Sequence, residues 1–202
     1  MKPARDIAGL ILAGGRASRF DGGAKETALF RGRPLIQHVI DRAAPQVARL
    51  AVSRPQGASG FSFDLEIVAD RHADCGPIAG LYAGLDWMSG LSPAPKMLAT
   101  FACDTPLFPK DLVRKLAMLA SQREAVAAIA SSRGAPHPTF GLWSAEILPI
   151  VKDRIDRGAL SLMGLADAVG AAIADYEGPD EAAFLNVNRR EDIAALERLA
   201  CS

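Results

Sequence analysis

Ala8-Gly9-Leu10-Ile11-Leu12-Ala13 runs straight into Gly14-Gly15-Arg16-Ala17-Ser18-Arg19-Phe20-Asp21-Gly22-Gly23-Ala24-Lys25. The first six residues are a short apolar run that turn residues bring to a halt, the pattern of a strand buried on both faces. The next twelve combine glycines with Arg16, Arg19 and Lys25. Glycine lets backbone N–H groups come close to an anion, and the three cations add fixed positive charge. The spacing is neither GxxxxGK[ST] nor GxGxxG, so this is not a Walker A loop or a dinucleotide fingerprint. From the residues alone, the segment suits either a polyphosphate cradle or a solvated surface loop.

Outward from this strand, apolar runs alternate with helical patterns. Pro34 to Ala44 reads as a helix, with Pro34 in its first turn and Leu35, Val39 and Ala43 on one face. Leu50 to Ser53 and Leu65 to Ala69 read as strands. Ile78, Leu81, Tyr82 and Leu85 share a helical face after Gly76-Pro77. Met97 to Ala102 is a further strand, and Pro109 opens a helix carrying Leu112, Val113, Leu116 and Leu119. In the second half Ala125 to Ala130 reads as a strand, Ser131 to Pro136 as a loop, and Thr139 to Trp143 as a strand running antiparallel. Helices follow from Ala145 to Ile155 and around Ile193, Leu196 and Leu199. Pro55 to Phe63, rich in Gly and Ser, reads as a mobile loop. The predicted fold is α/β: a single Rossmann-like domain over residues 1–202, a three-layer sandwich whose mostly parallel sheet has helices on both faces and one antiparallel strand.

Composition narrows the function. Lys and Arg number 23, as do Asp and Glu, so the net charge is zero. A nucleic-acid binder normally carries a basic excess, and none is expected here as a partner. Cys75, Cys103 and Cys201 form no CxxC pair and are odd in number, which argues against a disulfide framework or a zinc site and suits reduced thiols in the cytoplasm. No apolar run is long enough to span a membrane.

In open α/β sheets the ligand crevice lies beyond the carboxyl ends of the strands. Four polar segments follow strands here: Gly14–Lys25, Asp70–Gly80, Cys103–Pro106 and Gly134–His137. Asp104, directly after a strand, suits Mg²⁺, which takes one or two protein carboxylates together with phosphate oxygens; it equally suits a helix cap. Asp70 can accept a hydroxyl and the backbone near Gly80 can meet a base or ribose, or the segment can be a tight turn. His137 beside Pro138 and the alternating pair Asn186 and Asn188 can bind a polar ligand or tie down a loop. His38 receives no catalytic task.

Taken in order, these segments resemble the molybdenum cofactor guanylyltransferases, which attach GMP to molybdopterin. The resemblance runs the length of the chain: the LAGG loop with Arg19 and Lys25, Arg33-Pro34-Leu35, Gly76-Pro77-Ile78-Ala79-Gly80, Cys103-Asp104-Thr105-Pro106, His137-Pro138-Thr139, and Phe184-Leu185-Asn186-Val187-Asn188. It implies that GTP lies along Leu12, Ala13, Gly14, Gly15 and Lys25, with Asp70 and Gly80 near the nucleoside. It also implies Mg²⁺ on Asp104, Lys25 and Arg19 in catalysis, and His137, Asn186 and Asn188 on the pterin side. GTP and molybdopterin are the implied substrates, and molybdenum-cofactor insertion proteins or acceptor enzymes the implied partners. In similar enzymes that use CTP the loop more usually reads LAAG, so Gly15 points to GTP. The chain departs from the family pattern at Ala24, where an Asp usually precedes the Lys, at Phe20 for Met, and at Ser53 for Asn. Cytidylyl or other nucleotidyl transfer to a related phosphorylated acceptor, and a non-catalytic nucleotide-binding protein, are the alternative readings.

Overall fold

The computed structural model describes residues 4–13, 27–58, 62–72, 74–176 and 183–199. Gly14, Gly15, Arg19, Ala24 and Lys25 lie outside these described residues, as do Phe20 and Cys201. In chain order the elements are β1 (Ala4–Leu12), β2 (Leu29–Phe30), β3 (Arg33–Pro34), α1 (Leu35–Ala43), β4 (Val47–Pro55), β5 (Glu66–Asp70), α2 (Pro77–Ser89) and β6 (Met97–Ala102). They continue as α3 (Leu112–Gln122), β7 (Ala127–Ser132), β8 (Ala135–Ser144), α4 (Leu148–Asp156), α5 (Leu162–Ala168), β9 (Ala172–Asp175) and α6 (Arg190–Leu199). Seven strands form one sheet in the order β5-β4-β1-β6-β8-β7-β9, and β2 pairs with β3 separately.

The sheet is parallel except at β8, which runs against both β6 and β7. β1 lies inside it, and its residues alternate between two cores. Ile7, Ile11 and Ala13 face the α1 and α3 layer; Ala8, Leu10 and Leu12 face α2, α4 and α5. From Ile7 onward both faces are buried, every position but one carries an apolar side chain, and the run reads as continuous rather than alternating. Gly9 is the exception. A third, smaller cluster joins Phe30 and Leu35 to Val187 and Leu196, so the chain after the sheet returns to the hairpin of β2 and β3.

α2 lies unusually close to the sheet. A Cβ on Gly80 would stand 2.9 Å from Leu12 Cδ2 and 2.9 Å from Ser53 Oγ, and one on Gly84 would stand 2.5 Å from Leu10 Cδ2. Glycine four residues apart on one helical face therefore sets how near the first turns of α2 sit to the ends of β1 and β4. Ser53, 2% exposed, shares this contact, where a small side chain suits the narrow gap between β4 and α2.

Three features differ from the sequence expectation. Ser131 to Pro136 is not a loop: β7 continues to Ser132, β8 starts at Ala135, and Arg133-Gly134 alone makes the turn. Both turn residues have positive φ (50° and 75°), the backbone of a two-residue hairpin matched to strand twist. β9 and α5 were missed because they are short, four and seven residues, too brief to show a period. α3 begins at Leu112, three residues after Pro109, because the Pro109 carbonyl accepts the Leu112 N–H in a preceding turn.

Between β6 and β8 one buried hydroxyl does several tasks. Thr100 Oγ1 accepts from Trp143 Nε1 (3.0 Å) and from the Gly141 N–H (3.2 Å), and donates to the Gly141 carbonyl (3.4 Å). Thr100 and Trp143 are both sealed from solvent. Thr100→Val keeps the shape but strands two buried donors, each at a cost of about 1–3 kcal/mol. The expected loss is about 2–6 kcal/mol of unfolding free energy, read by urea denaturation with Trp143 as the fluorescent reporter; an unchanged midpoint would show these bonds to be expendable.

Candidate functional site

β1 is where the sheet changes direction of growth. From β1 the chain adds β4 and then β5 on one side; it next crosses to place β6 on the other. A ligand crevice is expected at such a switch point, beyond the carboxyl ends of the two diverging strands. Those ends are Leu12-Ala13 and Ala102-Cys103. They are joined laterally: Ala13 N–H donates to the Ser53 carbonyl (3.0 Å) and Cys103 N–H to the Leu12 carbonyl (3.4 Å). Leu12 and Ala13 are each only 8% exposed, so they form the floor of the crevice, not its wall.

The other candidates occupy the same edge of the sheet in a definite lateral order. Asp70 ends β5, Ala13 and Asp104 follow β1 and β6, and His137 lies near the start of β8. Four strand-to-strand steps separate β5 from β8, roughly 20 Å at ordinary strand spacing. Thus Asp70 and Gly80 lie to one flank of the switch point and His137 to the other.

Asp70 sits on the edge strand, half-buried. Its Oδ1 accepts the His72 N–H at 2.9 Å, and its carbonyl accepts the Gln56 N–H at 2.9 Å. Burial pushes its carboxyl above the usual range, while the His72 hydrogen bond and charge pull the other way. The His72 ring meets Tyr82 edge-on, with centroids 5.2 Å apart, which closes this flank. Gly80 is fully covered by Leu12 and Ser53 and contributes close packing beneath the crevice.

Asp104 is fixed from the far end of the chain. Its carbonyl accepts the Val187 N–H at 2.9 Å. Thr105, with no exposed surface, places its hydroxyl on Asn186 Oδ1 and 3.2 Å from Asp104 Oδ1. Val187 is buried while Asn186 and Asn188 are exposed, the alternation expected of an extended segment. Beyond it, Asp192 Oδ2 accepts both the Asn188 and Arg189 N–H groups (2.7 and 2.8 Å) and so caps the start of α6.

His137 is held by the same returning segment. Its ring stacks on Phe184 with centroids 4.6 Å apart and planes 8° apart, and its Nε2 bonds Ser132 Oγ at 2.8 Å across the hairpin. Burial lowers its pKa below the ordinary 6.5, so the imidazole is neutral near pH 7. Phe184 also meets Phe140 and Tyr176, so the stack is anchored in the main core. His38, by contrast, bonds the Phe30 carbonyl through Nε2 at 2.8 Å and ties α1 to the β2–β3 hairpin.

The structure therefore brings Asp104 and Asn186 together and sets His137 beside Phe184 of the same segment. It leaves Asp70 apart, on the opposite flank. Sequence reasoning took Thr105 only as part of the Cys103-Asp104-Thr105-Pro106 motif and passed over Ser132. Neither carries a local signal, because each acts on a partner placed by tertiary structure. Among the described residues no three His, Cys, Asp or Glu side chains gather as an all-protein metal cage.

The family model described as the MobA-like NTP transferase domain matches residues 9–196. The molybdenum cofactor guanylyltransferase of Cereibacter sphaeroides is 38% identical over 192 residues, covering 95% of this chain and 95% of its own. That of Serratia proteamaculans (strain 568) is 40% identical over 190 residues, covering 93% and 92%. The crystal structure of molybdopterin-guanine dinucleotide biosynthesis protein A from Archaeoglobus fulgidus superimposes with a TM-score of 0.74, covering 96% of this chain and 98% of its own. At 17% identity that last likeness is one of fold.

The His137 environment makes a pH prediction. A histidine with a depressed folded pKa stabilises the protein fully above the unfolded value of 6.5 and loses that contribution as pH falls through the folded value. NMR titration of the imidazole, assigned with His137→Gln, should give a midpoint below 6.5; a midpoint above it would contradict the burial.

Proposed function

The chain belongs to the MobA-like NTP transferase family, and from that membership we propose that it transfers GMP from GTP to molybdopterin, releasing pyrophosphate. The observation that carries this reading to particular residues is the pairing of strand ends at the switch point. Ala13 leads into the LAGG glycines at one end, and Asp104, tied to the returning Asn186-Val187 segment, follows the other. In the proposed reaction an oxygen of the acceptor phosphate bonds to the α-phosphorus of GTP. The bond to the β-phosphate oxygen breaks in line, and pyrophosphate carries away the electron pair. No protein nucleophile is required; placement and charge neutralisation supply the acceleration.

Each residue then has a defined task. Gly14 and Gly15 present backbone N–H groups to the phosphates, and Arg19 and Lys25 neutralise charge on the nonbridging oxygens and the leaving group. Asp70 lies toward the nucleoside, above the floor that Gly80 lets α2 build with Leu12 and Ser53. His137, Asn186 and Asn188 face the acceptor. A neutral imidazole offers one donor or one acceptor without repelling the phosphate's partners, and exposed amides offer N–H groups.

A divalent cation fits Asp104. It is a half-buried carboxylate at a strand end whose backbone is held by Val187, and no ready-made protein cage surrounds it among the described residues. That suits Mg²⁺, whose remaining ligands would be phosphate oxygens and water. Bound there, Mg²⁺ would supply charge neutralisation to the triphosphate. No helix among the described residues is long and apolar enough to cross a membrane. We place the reaction in the cytoplasm, with the dinucleotide passing to molybdenum-cofactor insertion proteins or acceptor enzymes.

Calorimetry with Mg²⁺ should show GTP binding tighter than CTP, and mixing with molybdopterin should release pyrophosphate. Tighter CTP binding would assign the chain to cytidylyl transfer instead, and binding without release would make it a non-catalytic nucleotide binder. Lys25→Ala should lower kcat by about 10²–10³-fold, the scale of losing one charge-stabilising contact. Asp104→Ala should abolish Mg²⁺-dependent turnover while the far-ultraviolet circular dichroism spectrum stays unchanged; near-normal turnover would remove Asp104 from the metal site.

A further inference from the structure

We propose that Thr105 is a positioning residue whose single hydroxyl proton couples the nucleotide side of the site to the acceptor side. The inference rests on the proposed guanylyl transfer and concerns a residue which that reading leaves without a task. Thr105 has no exposed surface, so water does not satisfy its hydroxyl. Two side-chain oxygens stand within hydrogen-bonding reach: Asn186 Oδ1, on which the hydroxyl is placed, and Asp104 Oδ1 at 3.2 Å. A threonine hydroxyl carries one proton, so the two oxygens compete for it.

The competition has a direction. In the structure the hydroxyl is seated on Asn186 Oδ1, while the Asp104 carboxylate, a charged acceptor at 3.2 Å, competes for the same proton. Were Asp104 to hold a Mg²⁺-bound triphosphate, that competition would fall and the hydroxyl would stay fully on Asn186 Oδ1. An amide whose oxygen is occupied in this way has its two N–H donors left for a ligand, which suits the acceptor phosphate. The backbone enforces the arrangement, because Val187 N–H donates to the Asp104 carbonyl at 2.9 Å and prevents the two segments from parting. Two residues before Asn186, Phe184 stacks on His137, so the same short segment touches the acceptor flank twice.

Thr105→Val removes the hydroxyl and keeps the branched shape; Thr105→Ser restores the hydroxyl. In ligand-free protein, Thr105→Val should reduce hydrogen-exchange protection of the Val187 amide by about tenfold, the scale of one net hydrogen bond. The second measurement is the factor by which Mg²⁺ tightens GTP binding in calorimetry. That factor should fall by about tenfold in Thr105→Val, with a rise in KM for molybdopterin, and Thr105→Ser should recover both. A valine variant that loosens Val187 yet keeps the Mg²⁺ factor and the acceptor KM would reduce Thr105 to a structural tie and overturn the proposal. Unchanged Val187 protection would overturn it in the ligand-free protein, whether or not the wild-type chain binds GTP. Failure of wild-type GTP binding would instead overturn the proposed guanylyl transfer.

Discussion

Ala13 donates its N–H to Ser53, and Cys103 donates its own to Leu12, so β1 and β6 end at one level beside β4 with their backbones bonded sideways. The rest of the edge is built from this alignment. A chain leaving β1 and a chain leaving β6 must start side by side, whatever route each takes afterwards. The lateral bonds also explain why the floor can be apolar and nearly sealed: its polar backbone groups are used within the sheet, and only the segments beyond it need polar chemistry. The glycines of α2 extend the same constraint to the second layer, because Gly80 and Gly84 fix how closely the helix approaches the ends of β1 and β4.

The first half of the chain was legible because its elements obey one rule at a time. β1 and β6 are buried on both faces and read as unbroken apolar runs; α1 and α3 present one apolar face and read at helical spacing. Asp70, Asp104 and the loop after Leu12 could be placed at one edge from strand order alone. The second half mixes rules. β8 is only partly covered at its start, and Pro136 and Pro138 lie within it, which disguised its first residues as a loop. β9 spans four residues at the sheet margin with Ile173 outward, too short a stretch to give a period.

Pairing at a distance was beyond the reach of the sequence. Asn186 and Thr105 are 81 residues apart, and neither residue announces the other. The same holds for His137 and Phe184, joined because Phe184 packs into the core on the α1 and α3 side of the sheet. Motifs in the order Cys103-Asp104-Thr105 and Phe184-Leu185-Asn186 point to a shared task, but their contact comes from tertiary structure. Local signals mark candidate residues; tertiary structure decides which of them meet.

The antiparallel strand has a consequence for the flank that carries His137. A parallel strand delivers its carboxyl end to the crevice and passes there into a connecting segment. β8 runs the other way, so it brings its beginning to that edge, with His137 already inside a paired strand. Its imidazole is bracketed by Ser132 from the preceding strand and by the face of Phe184. Fixing a ring on both sides before any ligand arrives removes most of the rotamer entropy that binding would otherwise cost. The two-residue turn at Arg133-Gly134 makes this possible, because a longer connection would not hold Ser132 and His137 in the register that bonds them. A small turn thus gives one flank of the crevice the rigidity of the sheet, while the opposite flank, at Asp70, depends on the last residue of an edge strand.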